Sequence, residues 1–283
     1  MLRLAIQSKG RLNEDCASLL REIGISVDDS KRKFISKSAN FPLEVLYMRD
    51  DDIPQVVPTG TASLGIVGLN EVEEKGFDVT VEAKLGFGVC RISLAIPKTE
   101  QYDGPDYFNG KRIATSYPNI LRKFLPGKGV KADIEVITGS VEIAPAAGIA
   151  DAIFDIVSTG GSLVSNGLKE VEKVFFSEAV LISSGKLSDE DRESLDEILF
   201  RLDSVKVSRG QKYILMNLPE DVVDEAIRIL PAMRSPTVMP LAAKGWCSMH
   251  SVVNADRLWE KIHQLKSIGA EGILVLSVDK IIP

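Results

Sequence analysis

The sequence predicts an α/β protein with two lobes, followed by a C-terminal domain of the ferredoxin-like α+β type. Short apolar runs alternate with stretches of helical spacing through the first two thirds of the chain. This alternation is typical of parallel strands joined by crossover helices. After Gln211 the order becomes β-α-β-β-α-β, which is the ferredoxin-like motif. A chain of 283 residues is long enough for two or three such units.

The first lobe is predicted from both ends of the α/β part, residues 1–91 and 178–209. Gly24 is expected to end its first helix, and Pro54 falls in the first turn of a short one. In chain order the expected elements are a strand at Leu2–Gln7, a helix at 13–24, a strand at 43–49, a turn and short helix at 50–60, strands at 62–68 and 179–184, and a helix at 189–203.

The second lobe is predicted for residues 92–177. The chain is expected to cross into this lobe near Cys90 and to return near Ser177. Its expected elements are a strand at Cys90–Pro97, a strand and turn at 111–118, a helix at 119–129, a strand at 132–139, a helix at 141–150, a strand at 151–157 and a helix at 163–172.

The C-terminal domain is predicted for residues 210–283 and contains both histidines of the chain, His250 and His263. We expect His250 to be a hydrogen-bonded residue of this domain rather than a catalytic group. The expected elements are strands at 212–218, 237–242, 246–253 and 271–282, with helices at 219–231 and 255–269.

Composition excludes several classes of partner. The net charge of −6 gives no broad positive field, which argues against nucleic acid and anionic membranes. No run approaches the ~18 consecutive apolar residues of a membrane helix, and the N-terminus lacks the pattern of a secretory signal. The three cysteines (Cys16, Cys90 and Cys247) are scattered, which suits reduced thiols. We therefore expect a cytoplasmic protein.

One short segment, DIVSTGGS at 155–162, has the composition of a phosphate-binding loop. It joins a strand to a helix start, where backbone N–H groups lack partners and glycines let a ligand approach. An N-cap turn without a ligand remains an alternative for this loop taken alone. Its candidate phosphate-binding residues are Ser158, Thr159, Gly160, Gly161 and Ser162.

Charged residues follow several other strands. Asp155 and Glu142 could bind vicinal hydroxyls such as those of ribose, because carboxylates only accept hydrogen bonds, although a solvated cap or turn residue is as good an interpretation of each acid. Lys9 and Arg11 around Gly10 have the pattern of a polyphosphate site, although an exposed basic turn is as good an interpretation. Arg49 precedes three aspartates, one of which is expected to cap the helix at Pro54, leaving others to order Arg49 or meet hydrated Mg²⁺.

The two lobes contain no histidine, no zinc-type ligand cluster and no G-x-S-x-G motif. Hydrolysis by a histidine-activated serine is therefore not expected. Positioning and charge neutralisation remain as the sources of catalysis.

Several segments of the chain form a recognisable series, which in order is AIQSKGRL, RDDDIPQVVPTG, LGIVGLNEVE, GKRIATSYPNIL, TGSVEIAPAAGIADAIFDIVSTGGSL, NGLKEVE and SPTVMPLA. In these segments the chain resembles the ATP phosphoribosyltransferase family. The resemblance implies that adenine N1 of ATP is joined to C1 of 5-phosphoribosyl 1-pyrophosphate, with Mg²⁺ present and pyrophosphate released. It assigns the loop at 158–162, with Asp155 and Glu142, to the phosphoribosyl donor. Lys9, Arg11 and Arg49 would be catalytic, and Gly10, Asp50, Asn70 and Tyr117 would bind ATP.

The resemblance extends to the long form of the family, which has an additional C-terminal domain. It implies an ACT-like regulatory domain that binds the inhibitor histidine near Thr237, with no separate regulatory subunit. It also implies a homo-oligomer, as dimers that assemble into hexamers. Two α/β lobes are also the architecture of periplasmic solute-binding proteins, which is the main alternative. An effector-binding domain of a transcription factor is another, although no helix-turn-helix segment is evident.

Overall fold

Residues 1–28, 34–231 and 235–282 are described by the computed structural model, and they form three β-sheets. The strands are β1 (Leu2–Gln7), β2 (Ile35–Lys37), β3 (Leu43–Met48), β4 (Leu64–Gly68), β5 (Thr80–Lys84), β6 (Cys90–Pro97), β7 (Arg112–Thr115), β8 (Asp133–Val136), β9 (Ala152–Val157), β10 (Leu168–Ser177), β11 (Ala179–Ser183), β12 (Gln211–Pro219), β13 (Thr237–Pro240), β14 (Trp246–Asn254) and β15 (Glu271–Ser277). The helices are α1 (Arg11–Glu22), α2 (Ile53–Val56), α3 (Leu69–Lys75), α4 (Pro118–Gly127), α5 (Gly161–Ser165), α6 (Asp189–Ser208), α7 (Val223–Ile229) and α8 (Leu258–Ser267).

The first sheet has the order β2-β3-β1-β4-β11-β5. Its central strands β3, β1 and β4 are parallel, and β2, β11 and β5 join antiparallel. Leu4, Ala5 and Ile6 are consecutive and all buried, because a central parallel strand is covered on both faces. α1 follows β1 and buries Leu19 and Leu20 on its apolar face. The predicted strands of this lobe are therefore confirmed.

The second sheet has the order β10-β6-β9-β7-β8. Its core contains Ile92, Leu94, Ile113 and Phe154, all fully buried. The chain passes from the first sheet to the second between β5 and β6 and returns between β10 and β11, as the sequence pattern predicts. Both sheets belong to one compact unit, Met1–Leu195. The domain boundaries proposed from the sequence stay predictions.

Two helices predicted in the second lobe, at 141–150 and 163–172, are wrong. Residues 141–150 form a single 3-10 turn, Val141–Ile143, and then irregular turns, because Pro145 cannot donate to a helix and Gly148 is left-handed (φ 71°). Residues 163–172 contain only the end of α5 before β10 begins. Pairing with β6 and packing of Val171, Val174 and Phe175 on the core override the local helix preference of this segment.

The second unit, Asp196–Pro283, contains the third sheet, with the order β13-β14-β12-β15. All its strand pairs are antiparallel, and α7 and α8 separate the strands in the predicted β-α-β-β-α-β order. Ile214, Met216 and Leu218 alternate along β12 and are fully buried. The predicted fold class is therefore confirmed, with an α/β part of two lobes and a ferredoxin-like domain.

Candidate active site

A cleft of about 360 Å³ lies between the two sheets of the first unit. It forms at the carboxyl ends of β1, β4, β7 and β9, which is where ligands bind in open α/β sheets. Its walls are Gln7, Arg11, Leu12, Asp15, Asp50, Gly68, Asn70, Glu71, Gly88, Val89, Cys90, Tyr117, Ile156, Ser158 and Ala179.

The cleft brings together part of the predicted site. Arg11, Asp50, Asn70, Tyr117 and Ser158 line it, and they come from both lobes. The other predicted residues of these lobes adjoin these walls in sequence or lie on neighbouring turns, namely Lys9, Gly10, Arg49, Glu142, Asp155, Thr159, Gly160, Gly161 and Ser162. Gly10 has a φ of 93° immediately before α1, so its turn needs glycine and leaves Lys9 and Arg11 exposed.

The loop after β9 offers a row of unpaired donors. Gly160 is left-handed (φ 82°) and α5 begins at the next residue. Among the described residues, none accepts a hydrogen bond from the backbone N–H groups of residues 158–163. Successive N–H groups of this kind form an anion-binding concavity. The hydroxyls of Ser158, Thr159 and Ser162 are also without a partner in that part of the chain and can add donors.

Asp155 lies in β9 just before this loop and is partly buried. The pKa of its carboxyl is raised from the ordinary 3.8 to about 6, mainly by burial and to a smaller extent by the nearby charge of Glu142, although a hydrogen bond from the Ile156 backbone opposes the shift. The two acids predicted to act on ribose are therefore close enough to interact. A carboxylate with a raised pKa beside a cleft is typical of functional sites.

A buried polar network crosses the cleft floor between the lobes. The Asn70 amide nitrogen Nδ2 donates to Glu71 Oε1 (3.0 Å) and to the Tyr117 hydroxyl (3.4 Å). Ser177 Oγ donates to Asn70 Oδ1 (2.8 Å) and accepts from the Asn70 backbone N–H (3.0 Å). Both ends of the Asn70 side chain are thus engaged within the chain.

Glu71 was not among the residues predicted from the sequence. Burial, and then the charge of Asp50, raise the pKa of its carboxyl. Burial and the neighbouring Glu71 and Asp155 also raise the pKa of Tyr117 well above its usual range, so its hydroxyl stays protonated and able to donate. The available signal was the position of Glu71, directly after Asn70 in the first turn of α3, which follows β4.

The start of α4 is held by an acid from the other lobe. Glu74, at the end of α3, is buried and accepts from the backbone N–H groups of Asn119 (2.9 and 3.0 Å) and Ile120 (3.0 Å). A carboxylate at a helix N-terminus satisfies donors that the helix leaves unpaired and interacts favourably with its dipole. This contact fixes α4 immediately after Tyr117.

The turn after β3 departs from one expectation. Asp52 is the N-cap residue of α2, as expected of one of the three aspartates, but its side chain makes no capping hydrogen bond. Asp51 instead accepts from Arg49 Nε (3.0 Å) and Nη2 (3.2 Å), and Asp50 turns into the cleft. No group of three or more metal-binding side chains occurs among the described residues.

In the second unit, Thr237 is exposed at the start of β13 and lies opposite His250 of β14. The Tyr213 hydroxyl is 2.9 Å from His250 Nδ1, and Ser248 Oγ is 3.2 Å from Nε2. Both ring nitrogens of His250 therefore have partners, as expected of a structural residue. In the described parts of the chain, every helix is too short or too polar to cross a bilayer.

The fold and the cleft define a two-lobed α/β protein whose site suits a phosphorylated ligand. The substrate-binding protein of an amino acid ABC transporter shares this architecture, with a TM-score of 0.50 and 11% identity over 74% of this chain and 94% of that one. At this identity the likeness concerns the fold alone.

Comparison of sequences is more specific. The family model described as ATP phosphoribosyltransferase matches residues 49–204, and the model described as the HisG C-terminal domain matches 208–280. The ATP phosphoribosyltransferases of Bacteroides thetaiotaomicron and Cytophaga hutchinsonii are 57% and 50% identical over 282 residues, covering all of this chain and 100% and 99% of theirs. A solved ATP phosphoribosyl transferase (HisG:HisZ) complex from Thermotoga maritima has a TM-score of 0.62 at 28% identity, over 72% of this chain and 97% of that one. The chain belongs to the ATP phosphoribosyltransferase family, the pentosyltransferases of histidine biosynthesis.

Proposed function

We propose that this chain joins adenine N1 of ATP to C1 of 5-phosphoribosyl 1-pyrophosphate. The N1–C1 bond forms, the bond from C1 to the pyrophosphate oxygen breaks, and its electron pair leaves with pyrophosphate. Family membership supports this reaction, and the row of unpaired N–H groups at 158–163 is the observation that carries it. That row supplies the donors that the 5-phosphate of the ribosyl donor requires.

The reaction requires stabilisation of developing charges rather than a general base. Adenine N1 has a free lone pair in neutral adenine, so no residue has to create the nucleophile. This is consistent with lobes that contain no histidine. Lys9 and Arg11 would neutralise charge on the departing pyrophosphate, and Arg49 would assist from the second loop. Asp155 and Glu142 would bind the ribose hydroxyls and stabilise positive charge developing at C1.

On the ATP side, Gly10 and Asp50 would border the triphosphate and Tyr117 the base. Asn70 has its side chain engaged with Ser177, Glu71 and Tyr117. Its part in ATP binding would therefore be to hold Tyr117 and Glu71 in place.

The residues present fit Mg²⁺ bound largely through substrate. The acidic residues Asp15, Asp50 and Glu71 line the cleft, while no cluster of three metal ligands exists among the described residues. Mg²⁺ commonly uses one or two carboxylates with substrate phosphates and waters. When bound, it would supply charge neutralisation on the pyrophosphate. Asp50 and Asp15 are the residues that would hold it.

Regulation would reside in the same chain. The match of residues 208–280 to the HisG C-terminal model supports feedback inhibition by histidine bound near Thr237, without a separate regulatory subunit. The solved Thermotoga maritima relative is, by contrast, a HisG:HisZ complex. We also propose that the protein is cytoplasmic and forms a homo-oligomer, from dimer to hexamer.

Pyrophosphate release in the presence of ATP, phosphoribosyl pyrophosphate and Mg²⁺ tests the reaction. Thr159→Ala should raise KM for phosphoribosyl pyrophosphate by roughly 10-fold or more, since a hydrogen bond to a charged group contributes ~1.5–3 kcal/mol, and should leave KM for ATP within twofold. Ser194→Ala is the control, because its hydroxyl donates to the Glu190 carbonyl on the exposed side of α6, far along the chain from the loop.

Absence of pyrophosphate and of an adenine adduct with the unaltered chain would overturn the proposal. Equal losses for both substrates in Thr159→Ala would overturn the assignment of the loop. Histidine added to the same assay should inhibit, and Thr237→Ala should weaken that inhibition without changing uninhibited turnover.

A further inference from the structure

Both ends of the loop at 158–165 are bound by cations, one from β6 and one from the residue that directly follows this strand. Arg91 Nη1 donates to the backbone carbonyl of Ser158 (3.1 Å), where the loop leaves β9. Lys98 Nζ donates to the carbonyl of Val164 (3.2 Å), near the end of α5. The carbonyls of Ser158 and Val164 are therefore held by these two cations, while the N–H groups of residues 159–163 have no acceptor among the described residues.

Arg91 is itself held in one orientation. Its Nε and Nη2 donate to the two carboxylate oxygens of Glu170 on β10, at 2.5 and 2.6 Å. Ser93 lies two residues after Arg91 on the same strand and is fully buried. Its Oγ donates to the same carboxylate (2.7 Å). A planar guanidinium with two parallel bonds to a carboxylate has little freedom to rotate. The strand register places Arg91 opposite Val157, the last residue of β9.

The contact with the Ser158 carbonyl fixes more than one atom. A peptide unit is planar and trans, so the carbonyl of Ser158 and the N–H of Thr159 point in opposite directions within one rigid plane. Holding the carbonyl toward Arg91 therefore directs the Thr159 N–H away from β6. This N–H belongs to the row of unpaired donors.

We propose that Arg91, held by Glu170 and Ser93, is a positioning residue that keeps the loop in the conformation that binds the 5-phosphate of the ribosyl donor. The inference rests on the proposed function. Arg91 acts through the loop rather than by contact, because its Nε, Nη1 and Nη2 each already bind a protein oxygen and it is not among the residues that line the cleft.

The test compares Arg91→Gln and Glu170→Gln with a matched control, Arg112→Gln. Arg112 also pairs with a carboxylate and a backbone carbonyl, those of Asp151 (3.3 Å) and Gly148 (3.2 Å). Asp151 precedes β9, whereas the loop follows it, so the control removes a similar pair from the opposite end of the same strand. Thermal unfolding of all three variants reports any general loss of structure.

We expect Arg91→Gln and Glu170→Gln to raise KM for phosphoribosyl pyrophosphate about 10-fold, with KM for ATP within twofold and Arg112→Gln unchanged in both. Titration calorimetry with phosphoribosyl pyrophosphate alone should give a correspondingly weaker Kd, with a more unfavourable binding entropy because the loop must then be ordered on binding. Arg91→Lys should remain impaired, since lysine keeps the charge but lacks the planar fork.

Full recovery in Arg91→Lys would overturn the positioning role in favour of a simple charge effect. A KM for phosphoribosyl pyrophosphate within twofold of the unaltered enzyme, in either Arg91→Gln or Glu170→Gln, would also overturn it. If Arg91→Gln does not fold, Glu170→Gln decides. These outcomes are distinct from failure of the proposed function, in which the unaltered chain itself releases no pyrophosphate.

Discussion

Two helix starts follow strands of the second lobe, and they differ in what binds their N–H groups. At α4, the N–H groups of Asn119 and Ile120 bind the carboxylate of Glu74 from the opposite lobe. At the loop leading into α5, the N–H groups of residues 158–163 have no acceptor in the described part of the chain. The same backbone feature thus links the lobes in one place and is left open beside the cleft in the other.

This difference shows when a helix start indicates a ligand site. Helix starts attract anions in general, so the chain must either supply an anion or leave the position for one. Where a buried carboxylate of the chain is already bound, the site is structural. Where several donors remain unpaired at the edge of a cleft, a phosphate of the substrate is the expected partner.

The largest effect on stability is expected at the start of α4, where Glu74 already binds the N–H groups. Glu74→Ala leaves the buried N–H of Ile120 and the partly buried N–H of Asn119 without an acceptor, so the free energy of unfolding should fall by roughly 2–4 kcal/mol. Glu73→Ala is the neighbouring control, because Glu73 pairs with Lys123 on the surface and should contribute at most about 1 kcal/mol. Urea denaturation measures both, and similar losses for the two variants would show that the Glu74 contact does not link the lobes.

A smaller effect on stability, of opposite sign, is expected at Asp155, just before the loop that leads into α5. The folded-state pKa of Asp155 is about 6, raised by burial from its ordinary 3.8. Folding therefore favours the protonated acid, and stability declines as pH rises from about 4 to 6. Asp155→Asn should raise the free energy of unfolding at pH 7 by roughly 1–2 kcal/mol, with the gain absent below pH 4.

Activity should change in the opposite direction in the same variant, because the ionised carboxylate is the better acceptor for ribose hydroxyls. Denaturation at pH 4 and pH 7, together with KM for phosphoribosyl pyrophosphate, measures both effects. An Asp155→Asn variant no more stable than the unaltered chain at pH 7 would contradict this account of the buried charge.

The smallest effect is the difference expected between substitutions of the two adjacent glycines of the loop. Gly160 has a φ of 82°, which costs other residues about 1–2 kcal/mol, so Gly160→Ala should raise KM for phosphoribosyl pyrophosphate about 10-fold. A Cβ on Gly161 would lie 3.7 Å from Thr159 Oγ1, an ordinary contact, and Gly161→Ala should change this KM much less. Steady-state kinetics would contradict this interpretation if Gly161→Ala proved the more damaging.

Sequence patterns could predict the parts of the site that are local. The cleft residues Arg11, Asp50, Asn70, Tyr117 and Ser158 all lie shortly after the end of an apolar strand, so their positions could be inferred from the alternation of strands and helices. Their roles rest on resemblance to the family and stay predictions. The cleft itself was expected only from the two-lobed fold.

The residues that the sequence did not indicate act through distant partners. Arg91 meets Glu170 at a separation of 79 residues, and Glu74 meets Ile120 at 46. Each of these acids and bases looks like an ordinary surface charge in its local sequence. The segment at 163–172 was misassigned for a related reason, since only its pairing with β6 makes it a strand.

Hydrogen exchange measured by mass spectrometry tests the comparison of the two helix starts most directly. Phosphoribosyl pyrophosphate with Mg²⁺, at a concentration that supports full turnover with ATP, should slow exchange at the N–H groups of residues 158–163. Those of Asn119 and Ile120, already bound to Glu74, should exchange slowly both with and without ligand. Unchanged exchange at 158–163 under these conditions would contradict the assignment of this loop to the 5-phosphate.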